Sequence, residues 1–180
     1  MTSTQTLTKP TAKNFEAYKT VGLISDTHVP KIAAKVPQKV FEIFQNVDFI
    51  VHAGDLVELS VIDELDQAAP VLAVRGNMDS AGTYEVLPTL NSLKIFGWKI
   101  GVMHDPDVLS GSDKMRYIAA ENGFNVLVYG HTHSPRIKWE AETLFVNPAS
   151  PTDPASFLDQ PSVGLLQITK KTVTPQIVNL

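Results

Sequence analysis

Aspartate, histidine and asparagine gather in this chain in short clusters, each closing an apolar run. They are Ile24-Ser25-Asp26-Thr27-His28, His52-Ala53-Gly54-Asp55, Arg75-Gly76-Asn77-Met78-Asp79, Val102-Met103-His104-Asp105 and Tyr129-Gly130-His131-Thr132-His133. Side chains of these types hold divalent cations. The sequence contains no cysteine, so thiolates are excluded as ligands, as nucleophiles and as a disulfide framework. Taken singly, each cluster has an ordinary reading. Asp26-x-His28 and Gly54-Asp55 can be turns, Asn77 a turn residue at positive φ, and His104 a satisfied core histidine. His131-Thr132-His133 is a stronger signal, because alternate residues of a short extended piece point to the same side. Their shared place at strand ends is what argues for one site, since the carboxyl ends of parallel strands lie along one edge, where ligands bind.

The candidate ligands Asp26, His28, Asp55, Asn77, His104, His131 and His133 exceed what one tetrahedral ion uses. Asp26 and Asp55 are the anions among them. Against two divalent cations they leave a positive excess, which suits an anionic phosphate in a chain whose formal net charge is −4. A carboxylate shared between ions roughly 3.5–4 Å apart would hold the pair as a clamp. The mix of donors suits manganese, nickel, iron, cobalt or zinc, with manganese first among these expectations, and disfavours calcium.

The elements that would position these residues follow from the hydrophobic pattern. Val21 to Ser25, Val47 to Val51 and Val71 to Val74 read as buried strands. Pro37 opens a helix carrying Val40, Phe41 and Phe44, and Ser60 with Asp63 resembles a capping box for a helix bearing Ile62 and Leu65. Strand, helix, strand, helix, strand implies parallel pairing. Ser92 to Phe96 and Trp98 to Met103 suggest an antiparallel hairpin around Gly97, and Ser112 to Asn122 a helix stopped by Gly123. Val126 to Tyr129, Arg136 to Glu140, Leu144 to Val146, Ser162 to Thr169 and Thr172 to Val178 have strand composition. The fold expected is of the mixed α/β class: two packed mixed β-sheets flanked by helices.

Bulk properties bound the rest. At 180 residues the chain fits one domain, read as residues 20–180 after a polar tail over 1–19 with a helical turn around Phe15 to Tyr18. No run of Lys or Arg forms a nucleic-acid patch, no apolar stretch is long enough to cross a bilayer, and the first residues lack the apolar core of a secretory signal. A cytoplasmic location is the expectation. The expected partner is a small phosphate ester, with a homodimer or higher homo-oligomer left open.

As a set, Asp26-x-His28, Gly54-Asp55, Gly76-Asn77-x-Asp79, His104 and Gly130-His131-x-His133 resemble the motifs of the calcineurin-like metallophosphoesterase superfamily. Within it the chain looks like the small single-domain phosphodiesterase branch, which includes the related retromer subunit. Asn147-Pro148-Ala149-Ser150 is similar to that family's Asn-Pro-Gly-Ser loop. The resemblance implies that Asp26, His28 and His133 ligate one metal and Asn77, His104 and His131 the other, with Asp55 bridging. Asp55, Asn77 and His104 are then the expected catalytic residues, and a metal-bridging water or hydroxide the nucleophile.

Two departures stand out. Larger members carry a histidine where this chain has Met78, and many relatives follow the fourth-motif histidine with Gly and His where this chain has Asp105 and Pro106. Neither position supplies a proton to a leaving group, so esters with poor leaving groups should react slowly. Arg75 and Asp79 are candidate substrate contacts. Each has a plainer alternative: for Arg75, pairing with a neighbouring carboxylate, and for Asp79, orienting histidine or backbone groups. His52 reads as a core or supporting residue, and Trp98 and Trp139 as packing or interface residues. A scaffold that kept the fold without catalysis, and a phosphomonoesterase, are the competing functions.

Overall fold

Apolar runs in the first half of the chain become strands covered on both faces, as parallel strands require. In the computed structural model, which describes residues 17–105 and 112–180, β1 (Lys19–Ile24), β2 (Phe49–His52) and β3 (Val71–Ala73) lie parallel. The helices α1 (Gln38–Phe44) and α2 (Ser60–Asp66) lie between them in the chain. Residues 1–16 of the expected tail, and with them half of the turn expected at Phe15 to Tyr18, lie outside the described residues; β1 already begins at Lys19.

The later elements are α3 (Ala81–Val86), β4 (Leu90–Ile95), β5 (Trp98–Met103), α4 (Ser112–Asn122), β6 (Val126–Val128), β7 (Arg136–Glu140), β8 (Thr143–Asn147), β9 (Ser162–Ile168) and β10 (Val173–Asn179). Among the described residues the strands form two five-stranded sheets, ordered β10-β9-β1-β2-β3 and β4-β5-β6-β8-β7. Both are mixed. β5, β6 and β8 run parallel, whereas β4, β7, β9 and β10 pair antiparallel with their neighbours. The two mixed sheets with flanking helices expected from the sequence are the fold.

Three layers of apolar side chains hold it. Val21, Leu23, Val51, Val102, Val128 and Val146 meet between the sheets. Val40, Phe44, Val61 and Leu65 pack α1 and α2 on the outer face of the first sheet, and Met115 and Ala119 pack α4 on that of the second. Each of these side chains larger than Ala119 stabilises the fold by about 1.5–3 kcal/mol. No helix among the described residues is long and apolar enough to cross a membrane.

Two local readings are corrected. Ser60 is no capping residue: Leu59 before it already has helical φ and ψ, so the turn starts earlier and no side chain caps it. The helix α3 had no counterpart in the sequence reading, although Ser80 caps it by accepting from the Thr83 N–H. Gly82 obscured its pattern. By contrast Gly123, at φ +62°, ends α4 as its position suggested.

Candidate metal centre

At the carboxyl ends of β1, β2 and β6 the chain turns sharply through left-handed backbone and, Gly54 apart, the site residues at the turns are not glycines. Asp26, His28, Asp55, His131 and His133 have φ of 53°, 46°, 57°, 70° and 54°. Left-handed backbone at such residues costs on the order of 1 kcal/mol each. A chain selected for stability alone has no use for it, and strain of this kind collects at functional sites. Backbone hydrogen bonds hold the turns together: Asp26 N–H to Gly54 O at 2.9 Å, His28 N–H to Asp55 O at 3.0 Å and Gly130 N–H to His104 O at 3.0 Å.

The seven candidate side chains meet here in two groups joined by Asp55. In one, His28 Nε2 lies 3.2 Å from His133 Nε2, and His133 Nε2 lies 3.4 Å from Asp26 Oδ1. In the other, Asn77 Oδ1 is 3.0 Å from both His104 Nε2 and His131 Nδ1. Asp55 Oδ2 stands between, 3.3 Å from His104 Nε2 and 3.9 Å from His28 Nε2. Donor atoms of Asp26, His28 and His133, and of Asp26, Asp55 and His104, lie mutually within 4.8 Å. His131 and His133 are not on one side of an extended piece, as expected. Both adopt left-handed backbone, which sends one ring to each group.

The protons of two of these rings are accounted for on the side away from the site. His104 Nδ1 faces Ala53 O at 2.9 Å and His133 Nδ1 faces Asp153 O, so each ring donates to a carbonyl and aims an Nε2 lone pair inward. Asp26 Oδ1, Asp55 Oδ2 and Asn77 Oδ1 add further lone pairs. Acceptors this close repel unless a cation sits among them, and the donor set, imidazole and oxygen without sulfur, fits divalent transition metals. Without metal the protein draws in protons instead. Burial lowers the His104 pKa, but hydrogen bonding to Asp55 and the charges of Asp26 and Asp55 outweigh it, for a net rise. The hydrogen bond to Asp26 raises that of His133 against burial. Asp55 is pushed up by burial, yet its bonds to His104 and the Met78 N–H bring it below the ordinary carboxylate range.

Of the two expected substrate contacts, Asp79 has both oxygens engaged by backbone N–H groups. Its oxygens accept the Val57 N–H at 2.6 Å and the Gly76 N–H at 2.7 Å, so it ties the Asp55 turn to the Asn77 turn. Arg75 meets no carboxylate among the described residues; it donates to Tyr84 O and lies over the Tyr84 ring. Sequence reasoning missed Asp153, whose carbonyl fixes His133, and Lys31, which reaches Met78 O at 2.9 Å. It also missed Ser25 and Thr152, which hydrogen-bond the turns from behind. A carbonyl contact leaves no trace in side-chain type, so Asp153 could not have been read.

His52, fully buried on β2, supports the turn below Asp26. Its Nε2 lies 3.1 Å from Thr27 Oγ1, and its Nδ1 has no hydrogen-bond partner. Donation from Nε2–H to Thr27 leaves only an acceptor unpaired, and a second proton would be a buried, unpaired donor. Burial accordingly lowers the His52 pKa from 6.5 to about 4. Because the folded value lies below the unfolded one, stability is fully present above pH 6.5 and declines as pH falls toward 4. Chelated protein should therefore lose about 2–3 kcal/mol more than a His52→Leu variant between pH 7 and 4.5 in urea unfolding. The lost Thr27 bond is common to both pH values and cancels. Equal losses would place the acid sensitivity elsewhere.

Comparison with known proteins follows the same outline. A family model described as the calcineurin-like phosphoesterase superfamily domain matches residues 20–171. The chain is 38% identical over 159 residues to a protein named probable metallophosphoesterase from Methanothermobacter thermautotrophicus, covering 88% of this chain and 91% of that protein. It is 31% identical over 163 residues to a phosphodiesterase of Methanocaldococcus jannaschii, covering 84% and 94%. Among solved structures, vacuolar protein sorting 29 from Cryptosporidium parvum superposes with a TM-score of 0.79 at 26% identity, covering 91% of this chain and 92% of that one.

Proposed function

Since the chain belongs to the calcineurin-like phosphoesterase superfamily and is thereby a phosphoesterase, we propose that it is a dinuclear metal-dependent phosphodiesterase. The observation that carries this reading is the inward convergence of imidazole, carboxylate and amide lone pairs around Asp55. Asp26, His28 and His133 would hold one ion, and Asn77, His104 and His131 the other, with Asp55 shared. Manganese is the ion we assign first, with nickel, iron, cobalt and zinc as alternatives that the imidazole and oxygen donors also suit. When bound, the cations supply charge neutralisation at the phosphate and lower the pKa of a water nucleophile.

The remaining steps belong to side chains of this protein. Ala53 O and Asp153 O keep the His104 and His133 rings turned with Nε2 inward. Asp79 fixes the separation of the Asp55 and Asn77 turns. Met78, exposed at the site, offers no proton to a departing alkoxide, so turnover should fall steeply as the leaving group becomes more basic. A diester is favoured over a monoester because a dianion wants several cations around it. Arg75 lines the cleft at Asn77 and His104, while the Lys31 ammonium is engaged by Met78 O.

The test is hydrolysis of bis(4-nitrophenyl) phosphate and of 4-nitrophenyl phosphate with manganese, and again after chelation. The diester should react faster, all activity should vanish on chelation, and added metal should restore it. Activity that survives full chelation, or none under any of the metals named, would defeat the enzyme reading. A second reading, a protein-binding scaffold, draws on the likeness to vacuolar protein sorting 29 and on Phe157 and Leu158, exposed in the loop after Asp153. It would gain from the second outcome.

A further inference from the structure

On the Asn77 and His104 side of the metal centre lies a cleft of about 230 Å³, with Arg75, Tyr84, Thr89 and Met103 as its other walls. The Arg75 side chain is fixed there in an unusual way for a cation in an acidic protein. Its Nη1 donates to Tyr84 O at 2.6 Å, its guanidinium carbon lies 4.6 Å from the centre of the Tyr84 ring, and its backbone N–H donates to Pro88 O. α3 thus supplies both the carbonyl and the ring that hold it. No carboxylate among the described residues pairs with it, and a guanidinium with one N–H engaged keeps donors in a fork suited to a planar anion.

Asn77 and His104 line the same cleft as Arg75, so a short arm on an ester held at those two residues lies beside the guanidinium. One face of Tyr84 is already covered by Arg75, which removes that face as a stacking platform. Asp105 also lines the cleft, and the anionic arm is therefore placed on the Arg75 wall. We propose that this cleft is a subsite for a second negative group on the substrate. Arg75, clamped by Tyr84, would bind a carboxylate or phosphate carried on a short arm of the ester whose phosphorus sits at the metals. The proposal rests on the phosphoesterase reading above and adds a substrate class to it: small esters with an anionic substituent.

The experiment compares 3-phosphonopropanoate with propylphosphonate as competitive inhibitors of manganese-dependent aryl diester hydrolysis. The two differ in the distal carboxylate. The wild-type protein should bind the diacid about tenfold more tightly, as a charge-assisted bidentate pair provides. Arg75→Gln should erase the preference, Arg75→Lys should retain part of it, and Tyr84→Leu, which removes the ring under the guanidinium but keeps the backbone carbonyl and the charge, should reduce it several-fold. Equal inhibition by the two compounds in wild type would overturn the proposal, as would a preference that persists in Arg75→Gln, since the carboxylate would then be bound by the metals or another wall. Neither result touches the parent reading so long as the aryl diester is turned over in the same assay. Loss of metal-dependent turnover altogether would sink that reading instead.

Discussion

An Asp55→Asn variant should fold normally and lose turnover by about a thousandfold or more, with its metal content falling below two ions per chain. The reasoning begins with which oxygen does what. Asp55 Oδ1 accepts the Met78 N–H at 2.7 Å, a bond that holds the Asn77 turn, while Oδ2 faces the rings of His104 and His28. An asparagine can keep its carbonyl oxygen on the Met78 N–H, so the turn is preserved. Its amide nitrogen then takes the place of Oδ2. That group carries protons where lone pairs converge, and it hydrogen-bonds to imidazole instead of ligating a cation. The metal-free variant should melt somewhat below metal-free wild type, because the ionised Asp55 is stabilised in the fold by His104 and the Met78 N–H, while remaining cooperatively folded. Aryl diester kinetics, metal analysis and thermal melting, run on one preparation, separate the possibilities. Unchanged turnover with both ions retained would remove Asp55 from the bridging position.

How much of this was open to reading from the sequence depends on which physical signal each residue leaves. Asp26, Asp55, Asn77, His104 and His131 stand at the ends of apolar runs, and burial of β1, β2, β5 and β6 follows from those runs. That parallel strands deliver their carboxyl ends to one edge is a rule of topology, so the meeting of these residues was legible. The route taken by His131 and His133 was not. An extended reading put both on one side, whereas left-handed φ at each sends them to different groups. Nothing in a histidine's identity announces positive φ.

The same division holds outside the ligands. Asp79 was readable as a polar residue near the site, but its partners are backbone N–H groups of Val57 and Gly76, and only coordinates reveal those. Arg75 was expected either to meet a carboxylate or to face substrate. Its actual clamp, Tyr84, comes from α3, a helix the sequence reading did not contain. The hairpin of β9 and β10 has plain strand composition, yet its return to pair with β1 across most of the chain is a long-range choice that local pattern does not encode. Periodicity and strand ends therefore carried the scaffold. Close approach and handed turns carried the site, and they depend on tertiary structure.

Close approach also yields the second large effect. Gly76→Ala should reduce turnover by at least about a hundredfold and destabilise the protein by about 1–3 kcal/mol, although it adds one methyl group and removes no ligand. A Cβ at position 76 would sit 2.2 Å from Asp55 Oδ1 and 2.6 Å from the Asp55 backbone N. The carboxylate alone could swing aside, but the backbone N cannot, because Asp55 O is bonded to the His28 N–H and the neighbouring Gly54 O to the Asp26 N–H. The strain must then fall on the Asn77 turn, which Asp79 and the Met78 N–H hold against Asp55. Moving that turn carries Asn77 Oδ1 away from His104 and His131, so one group of ligands opens while Asp26, His28 and His133 stay together. The variant should consequently keep one tightly bound ion and lose the other, which metal titration resolves from a general loss of folding. Full activity with two ions bound would mean that the Asp55 and Asn77 turns are not in the contact that the geometry of the site requires.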